Sequence, residues 1–79
     1  MQPLDILVAE DERVQREMLR DFLAAQGHRV VEAATGKAAV EMIRSASLDL
    51  AILDFRMPDL SGLDVLGEAK RINPELEVI

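Results

Sequence analysis

The sequence of 79 residues contains no cysteine, no tryptophan and no tyrosine. Without thiols, disulfide staples and thiolate metal sites are both excluded. Phe22 and Phe55, the two phenylalanines, are too few for a base-stacking platform. Basic residues are scarce as well: nine Lys and Arg stand against fifteen Asp and Glu, for a formal net charge of -6. That balance argues against direct nucleic-acid binding by this segment, because phosphate contacts need surplus positive charge. No apolar run approaches the roughly 20 residues of a membrane span. Met1-Gln2-Pro3-Leu4-Asp5 lacks the basic flank and apolar core of a secretory signal. A cytoplasmic chain without membrane contact is the expectation.

What is present is a globular composition, 49% apolar and 30% charged. The length admits one small domain. A chain of this size buries only about 60% of its unfolded surface, so marginal stability is expected.

Leu4 to Ala9 and Leu48 to Leu53 are short, almost purely apolar runs. Strands covered on both faces read this way, and they belong to parallel sheets. Val30-Val31 and Leu76-Glu77-Val78-Ile79 are weaker strand candidates. Between them lie helical patterns. Val14, Met18 and Phe22, with Leu19 and Leu23, recur at spacings of four opposite Arg13, Arg16, Glu17, Arg20 and Asp21, and Gly27 follows as a stop. Thr35 is placed to cap a second helix with Ala39, Met42 and Ile43 as its apolar stripe. Leu63, Leu66, Ala69 and Ile72 mark a third, ended by Pro74. The alternation βαβαβαβ predicts an α/β fold with right-handed crossovers and one parallel sheet. The sequence stops within an apolar strand, Val78-Ile79, which suggests a piece of a domain or a core completed by a partner.

Glu10, Asp11 and Glu12 directly follow the first buried run, and Asp54 directly follows the third strand. In a doubly wound sheet the strand C-termini share one edge, where ligands bind. If the first and third strands are neighbours, Glu10, Asp11 and Asp54 converge there. Close carboxylates repel, and a hard divalent cation such as Mg²⁺ relieves that repulsion with oxygen ligands and retained waters. An aspartate beside such a cation is also a nucleophile able to form an aspartyl-phosphate. Asp54 suits the nucleophile role, and Glu10 and Asp11 suit ligation. The competing reading is that acids after strands serve as helix caps, with Asp11 or Glu12 capping the first helix.

These segments resemble a known family. Ile6-Leu7-Val8-Ala9-Glu10-Asp11-Glu12 is similar to the first strand and acidic pair of response regulator receiver domains. Gly27-His28-Arg29-Val30-Val31-Glu32-Ala33-Ala34-Thr35-Gly36 is similar to their second strand and following turn. Residues Asp49 to Gly62, with Leu53-Asp54-Phe55-Arg56-Met57-Pro58 at their centre, resemble the phosphorylation segment. The likeness covers the whole chain in order. It implies a doubly wound, flavodoxin-like (CheY-like) sheet of strand order 2-1-3-4, with the fifth strand missing. Residues 1–79 would then be a single, incomplete receiver domain, its N-terminal two-thirds.

The resemblance also implies roles. Asp54 would accept a phosphoryl group from the phosphohistidine of a sensor histidine kinase. Mg²⁺ would be held by Glu10 mainly through water, by Asp11 directly, by Asp54, and by the backbone carbonyl of Arg56. The chain would be a phosphoacceptor that assists its own phosphorylation, not an enzyme, and its parent would regulate transcription. The family's Thr or Ser after the fourth strand, its Lys after the fifth and its aromatic switch residue have no counterpart within these 79 residues. A phosphoryl group on Asp54 would therefore be less well stabilised. The alternative is a truncated or degenerate receiver acting as an interaction or self-assembly module, with self-association through the exposed edge of the fourth strand. An aspartate-nucleophile phosphohydrolase is disfavoured, since Arg56 stands where such enzymes place a second acid.

Other residues receive plainer expectations. His28 is read as a solvated residue at a strand start. Met18 and Met42 are read as helix-core residues, and Met57 as a loop plug. The charges of the first helix, Arg16 and Arg20 among them, are read as a solvated face, although in receivers the first helix contributes to kinase docking. Lys37 and Lys70 have no assigned role.

Overall fold

In the computed structural model, which describes residues 2–79, strands and helices alternate strictly: β1 (Asp5–Ala9), α1 (Arg13–Ala25), β2 (Arg29–Ala33), α2 (Gly36–Ser45), β3 (Leu50–Leu53), α3 (Gly62–Ile72) and β4 (Glu77–Val78). The sheet order is β2-β1-β3-β4 and every pairing is parallel, as the resemblance implied. β1 is central. Ile6, Leu7, Val8 and Ala9 are all essentially inaccessible, which explains an apolar run without alternation. Leu7 and Ala9 join Ala33, Ala51, Val65, Ala69 and Leu76 in the main core beneath α2 and α3. Ile6 and Val8 alternate with them and so face the other side, where α1 lies against β1 and β2.

Strand ends differ slightly from expectation. Leu4 lies outside β1, and β3 begins at Leu50 although Leu48 is buried in the core. Asp49 fastens this start: its N–H donates to the Asp5 carbonyl at 2.8 Å, and its carboxylate accepts from the Asp5 N–H at 2.8 Å. Leu76 precedes β4 as a buried plug, and Lys70 donates from Nζ to its carbonyl at 2.8 Å, which gives that lysine a role.

The helices are capped as their sequences allow. Glu12 caps α1 by accepting from the Val14 N–H, and Thr35 caps α2 by accepting from Ala38. Ser61 and Asp64 form a reciprocal capping box at α3. α1 gives way at Gln26 to Gly27, whose φ of 95° turns the chain toward β2.

Two faces depart from expectation. Val14, Met18 and Phe22 are 58%, 67% and 62% exposed, so Met18 is not a core residue. Leu19 and Leu23 turn inward with Arg16 and Arg20 instead. This face pairs apolar burial of Leu19 and Leu23 with ion pairs to Glu32 on β2: Arg16 Nε and Arg20 Nη1 donate to its two carboxylate oxygens at 3.1 and 3.0 Å. On α3 the inward stripe is Gly62, Val65 and Ala69, while Leu63 is 61% exposed. Small and β-branched residues form the buried stripe of α3, and larger ones fall to its flanks. His28 is half-buried, and its Nδ1 accepts from the Leu4 N–H at 3.0 Å, pinning the entry to β1. Met42 packs at the margin of the core, and Met57 is buried in it, as expected.

Candidate functional site

Parallel pairing places Ala9 of β1 opposite Leu53 of β3. The next residue on each strand is an acid, so register alone sets Glu10 and Asp54 side by side at the C-terminal edge of the sheet. The ladder continues through them: the Asp54 N–H donates to the Ala9 carbonyl at 2.8 Å, and the Glu10 N–H donates to the Ala33 carbonyl at 3.0 Å. These bonds fix both backbones. Asp11 follows at once, and Glu10, Asp11 and Asp54 each offer a carboxylate oxygen, all within 4.8 Å of one another. Glu10 and Asp54 are half-buried and Asp11 is exposed.

The electrostatics follow from this crowding. Burial pushes the Glu10 carboxyl above its ordinary value, and the neighbouring Asp11 and Asp54 act in the same direction. The Glu12 N–H, donating to Glu10 at 3.0 Å, opposes the rise. Among the described residues no ion pair engages Glu10, Asp11 or Asp54. An open, oxygen-only cluster of three carboxylates without a protein cation fits a hard divalent ion that keeps waters, and does not fit a soft metal. Asp11 and Glu12 divide the two roles weighed for them: Glu12 caps α1, which leaves the Asp11 carboxylate with the cluster.

Arg56 lies two residues beyond Asp54, exposed, in the loop between β3 and α3. This loop is fixed at several points. Its neck is closed by the Gly62 N–H donating to the Phe55 carbonyl at 3.0 Å, and Met57 is sunk in the core. Asp59 reaches across to α2. Its Oδ1 accepts from the Gly36 N–H at 2.7 Å and its Oδ2 from the Lys37 N–H at 2.9 Å. The donors of Lys37, together with Gly36 and Leu60, hold the Asp59 carboxyl below its ordinary value.

Two supporting residues escaped the sequence reading. Asp59 has no visible signal, since nothing in local spacing shows that the first turn of α2 lies beside it. Arg16, read as a solvated charge, has a side chain only 14% exposed. Its Nη1 donates to the Glu10 carbonyl at 3.0 Å while its Nε holds Glu32. The one trace of this in the sequence is the pair Arg16 and Arg20, one helical turn apart, with a lone acid on the neighbouring strand.

Comparison with known proteins gives one consistent result. The family model for the response regulator receiver domain matches residues 6–79. The chain is 38% identical over 78 residues to the probable transcriptional regulatory protein TcrX of Mycobacterium tuberculosis, covering 99% of this chain and 33% of that protein. It is 32% identical over 75 residues to the chemotaxis protein CheY of Thermotoga maritima, covering 94% and 62%. The crystal structure of the response regulator TrrA of Thermotoga maritima in complex with Mg²⁺-BeF superposes with a TM-score of 0.91 at 36% identity, covering 95% of this chain and 65% of that one. The chain thus spans a third of TcrX and under two-thirds of CheY.

Proposed function

The chain belongs to the response regulator receiver domains of two-component signalling, and on that premise we propose that it accepts a phosphoryl group on Asp54 from the phosphohistidine of a sensor histidine kinase, with Mg²⁺ as cofactor. The observation that carries this reading is the convergence of Glu10, Asp11 and Asp54 at the C-terminal edge of β1 and β3, where among the described residues no ion pair engages them.

Glu10, Asp11 and Asp54 would hold the ion, joined by the main-chain carbonyl of Arg56. The ion supplies neutralisation of the charge on the transferring group. A carboxylate oxygen of Asp54 attacks phosphorus. The phosphorus–nitrogen bond to the donor histidine breaks, and its electron pair stays with the imidazole. An acyl phosphate on Asp54 results. The ladder bond from Asp54 to Ala9 and the closed neck at Phe55 and Gly62 orient the nucleophile. In this role the chain is a phosphoacceptor that promotes its own modification, not a turnover enzyme.

Transcriptional regulation by the parent protein is proposed from the likeness to TcrX, a probable transcriptional regulatory protein. Its output would reach DNA through another region, in keeping with the net charge of -6 here. A cytoplasmic location suits a kinase partner, and among the described residues no helix is long and apolar enough to cross a membrane. A second reading, self-association, is favoured by β4 at the sheet edge beside an apolar hollow lined by Leu53, Phe55, Leu63, Leu66, Val78 and Ile79.

Intact mass after incubation with Mg²⁺ and a small phosphodonor tests the main reading. The chain should gain one phosphoryl group and Asp54→Asn none. A folded wild-type chain that gains nothing leaves binding or assembly as its function.

A further inference from the structure

Asp59 is an exposed acid whose partners are out of proportion to its position. An aspartate in a turn ordinarily bonds its own neighbours. Asp59 does so once, with Oδ1 accepting from Leu60 at 2.9 Å. Its other bonds leave the loop, to the Gly36 and Lys37 amides that open α2. Those two donors lie 23 and 22 residues away in sequence.

α2 does not depend on this acid for its cap. Thr35 already accepts from the Ala38 N–H at 3.1 Å. Asp59 takes the next two orphan donors, at the positive end of the helix dipole, where a carboxylate is favoured. The consequence falls on the loop as much as on the helix. Residues between β3 and α3 are tied at the Phe55–Gly62 neck, at Met57 in the core and at Asp59 on α2. Arg56 is enclosed between the first two ties and Asp54 adjoins the neck, so their main chain has little freedom. A group that ligates a cation through main chain depends on such outer supports for its alignment.

We propose that Asp59 is a positioning residue, which by latching the β3–α3 loop to the first turn of α2 holds Asp54 and the main chain of Arg56 in the arrangement that receives Mg²⁺; this rests on the reading of Glu10, Asp11 and Asp54 as the cation site. The latch also makes α2 a mechanical neighbour of the site, although α2 contributes no side chain to the acidic cluster.

The test is a Mg²⁺ titration of the 79-residue chain, followed by amide chemical shifts, in wild type, Asp59→Ala and Thr35→Ala. Thr35→Ala removes the helix's own cap and leaves the loop bonds in place, so it reports on helix stability alone. Asp59→Ala should raise the Mg²⁺ dissociation constant about tenfold, the lower range for loss of an outer support. Thr35→Ala should leave it unchanged while lowering thermal stability. Asp59→Asn keeps one acceptor oxygen and should give a smaller rise, and it replaces the alanine variant if that chain does not fold. Wild-type binding matched by both Asp59 variants overturns the latch, as does a Thr35→Ala rise equal to that of Asp59→Ala. A folded wild type that takes no Mg²⁺ overturns the cation site itself, and the latch with it.

Discussion

Gly62 and Gly67 both lie in α3, five residues apart, and replacing each with alanine should move stability in opposite directions. Gly67 is exposed in the middle of the helix, and a methyl group there meets nothing within 4 Å. The change removes backbone freedom from the unfolded chain and should add up to about 1 kcal/mol. Gly62 is buried in the first turn, where the helix-propensity gain is small. A Cβ at Gly62 would stand 2.6 Å from the Asp54 carbonyl oxygen and 3.0 Å from the Phe55 Cα. Both are backbone atoms held by the ladder and the loop neck, so neither yields as a flexible side chain would. Overpacking of this kind costs about 1–3 kcal/mol. In a domain of this size each kcal/mol moves the melting temperature by about 4–8 °C. Thermal and urea unfolding followed by far-ultraviolet circular dichroism should show Gly67→Ala melting higher than wild type and Gly62→Ala markedly lower. The same variant should weaken Mg²⁺ binding, because the displaced atoms belong to Asp54 itself. A Gly62→Ala chain as stable as wild type would refute the close approach of α3 to the phosphoacceptor loop.

Acid should erode stability through Asp5 and Asp59. The Arg29 guanidinium, bonded to Asp5 at 2.7 Å, and the α2 amides on Asp59 hold both carboxyls below their ordinary value of 3.8. The unfolded chain then binds more protons, so their contribution is complete above that value and fades as pH falls through the depressed range. Unfolding midpoints measured from neutral pH downward should fall in that window, and less so in Asp5→Asn and Asp59→Asn; parallel slopes in all three chains would contradict the assignment. Self-association should appear in sedimentation velocity as the concentration is raised, driven by the β4 edge and by apolar side chains such as Ile79, which is 74% exposed. Ile79→Lys should restore the monomer at unchanged melting temperature, and a wild-type chain that stays monomeric throughout removes this surface from consideration.

The fold was legible where burial leaves a one-dimensional signature. The unalternating run Ile6-Leu7-Val8-Ala9 announces a central parallel strand, and Thr35 announces the start of α2. The three acids were legible because Glu10 and Asp54 directly follow apolar strands and Asp11 comes next to Glu10, so register finishes what sequence begins. Helix faces were less so. Spacing of four fits Val14-Met18-Phe22 as well as Leu19-Leu23 and Arg16-Arg20, and the partner that Arg16 and Arg20 meet, Glu32, lies on another element. Leu63, expected on the apolar stripe of α3, is exposed instead, because the buried stripe is one of small and β-branched residues, Gly62, Val65 and Ala69. Asp59, Arg16 and His28 owe their roles to partners more than a turn away along the chain, which no local pattern contains.

The pairing of β1 with β3 also sets an order in time. Glu10 and Asp54 are 44 residues apart in sequence, and they meet only once β1 and β3 are in register across the intervening helix–strand–helix. Closing so long a loop is an entropic cost that precedes any reward from the contact. A cation that needs both acids therefore has almost nothing to hold in the unfolded ensemble. It should stabilise the native chain by mass action. If the register closes after the rate-limiting step, the effect should fall mainly on the rate of unfolding, leaving the refolding rate nearly untouched.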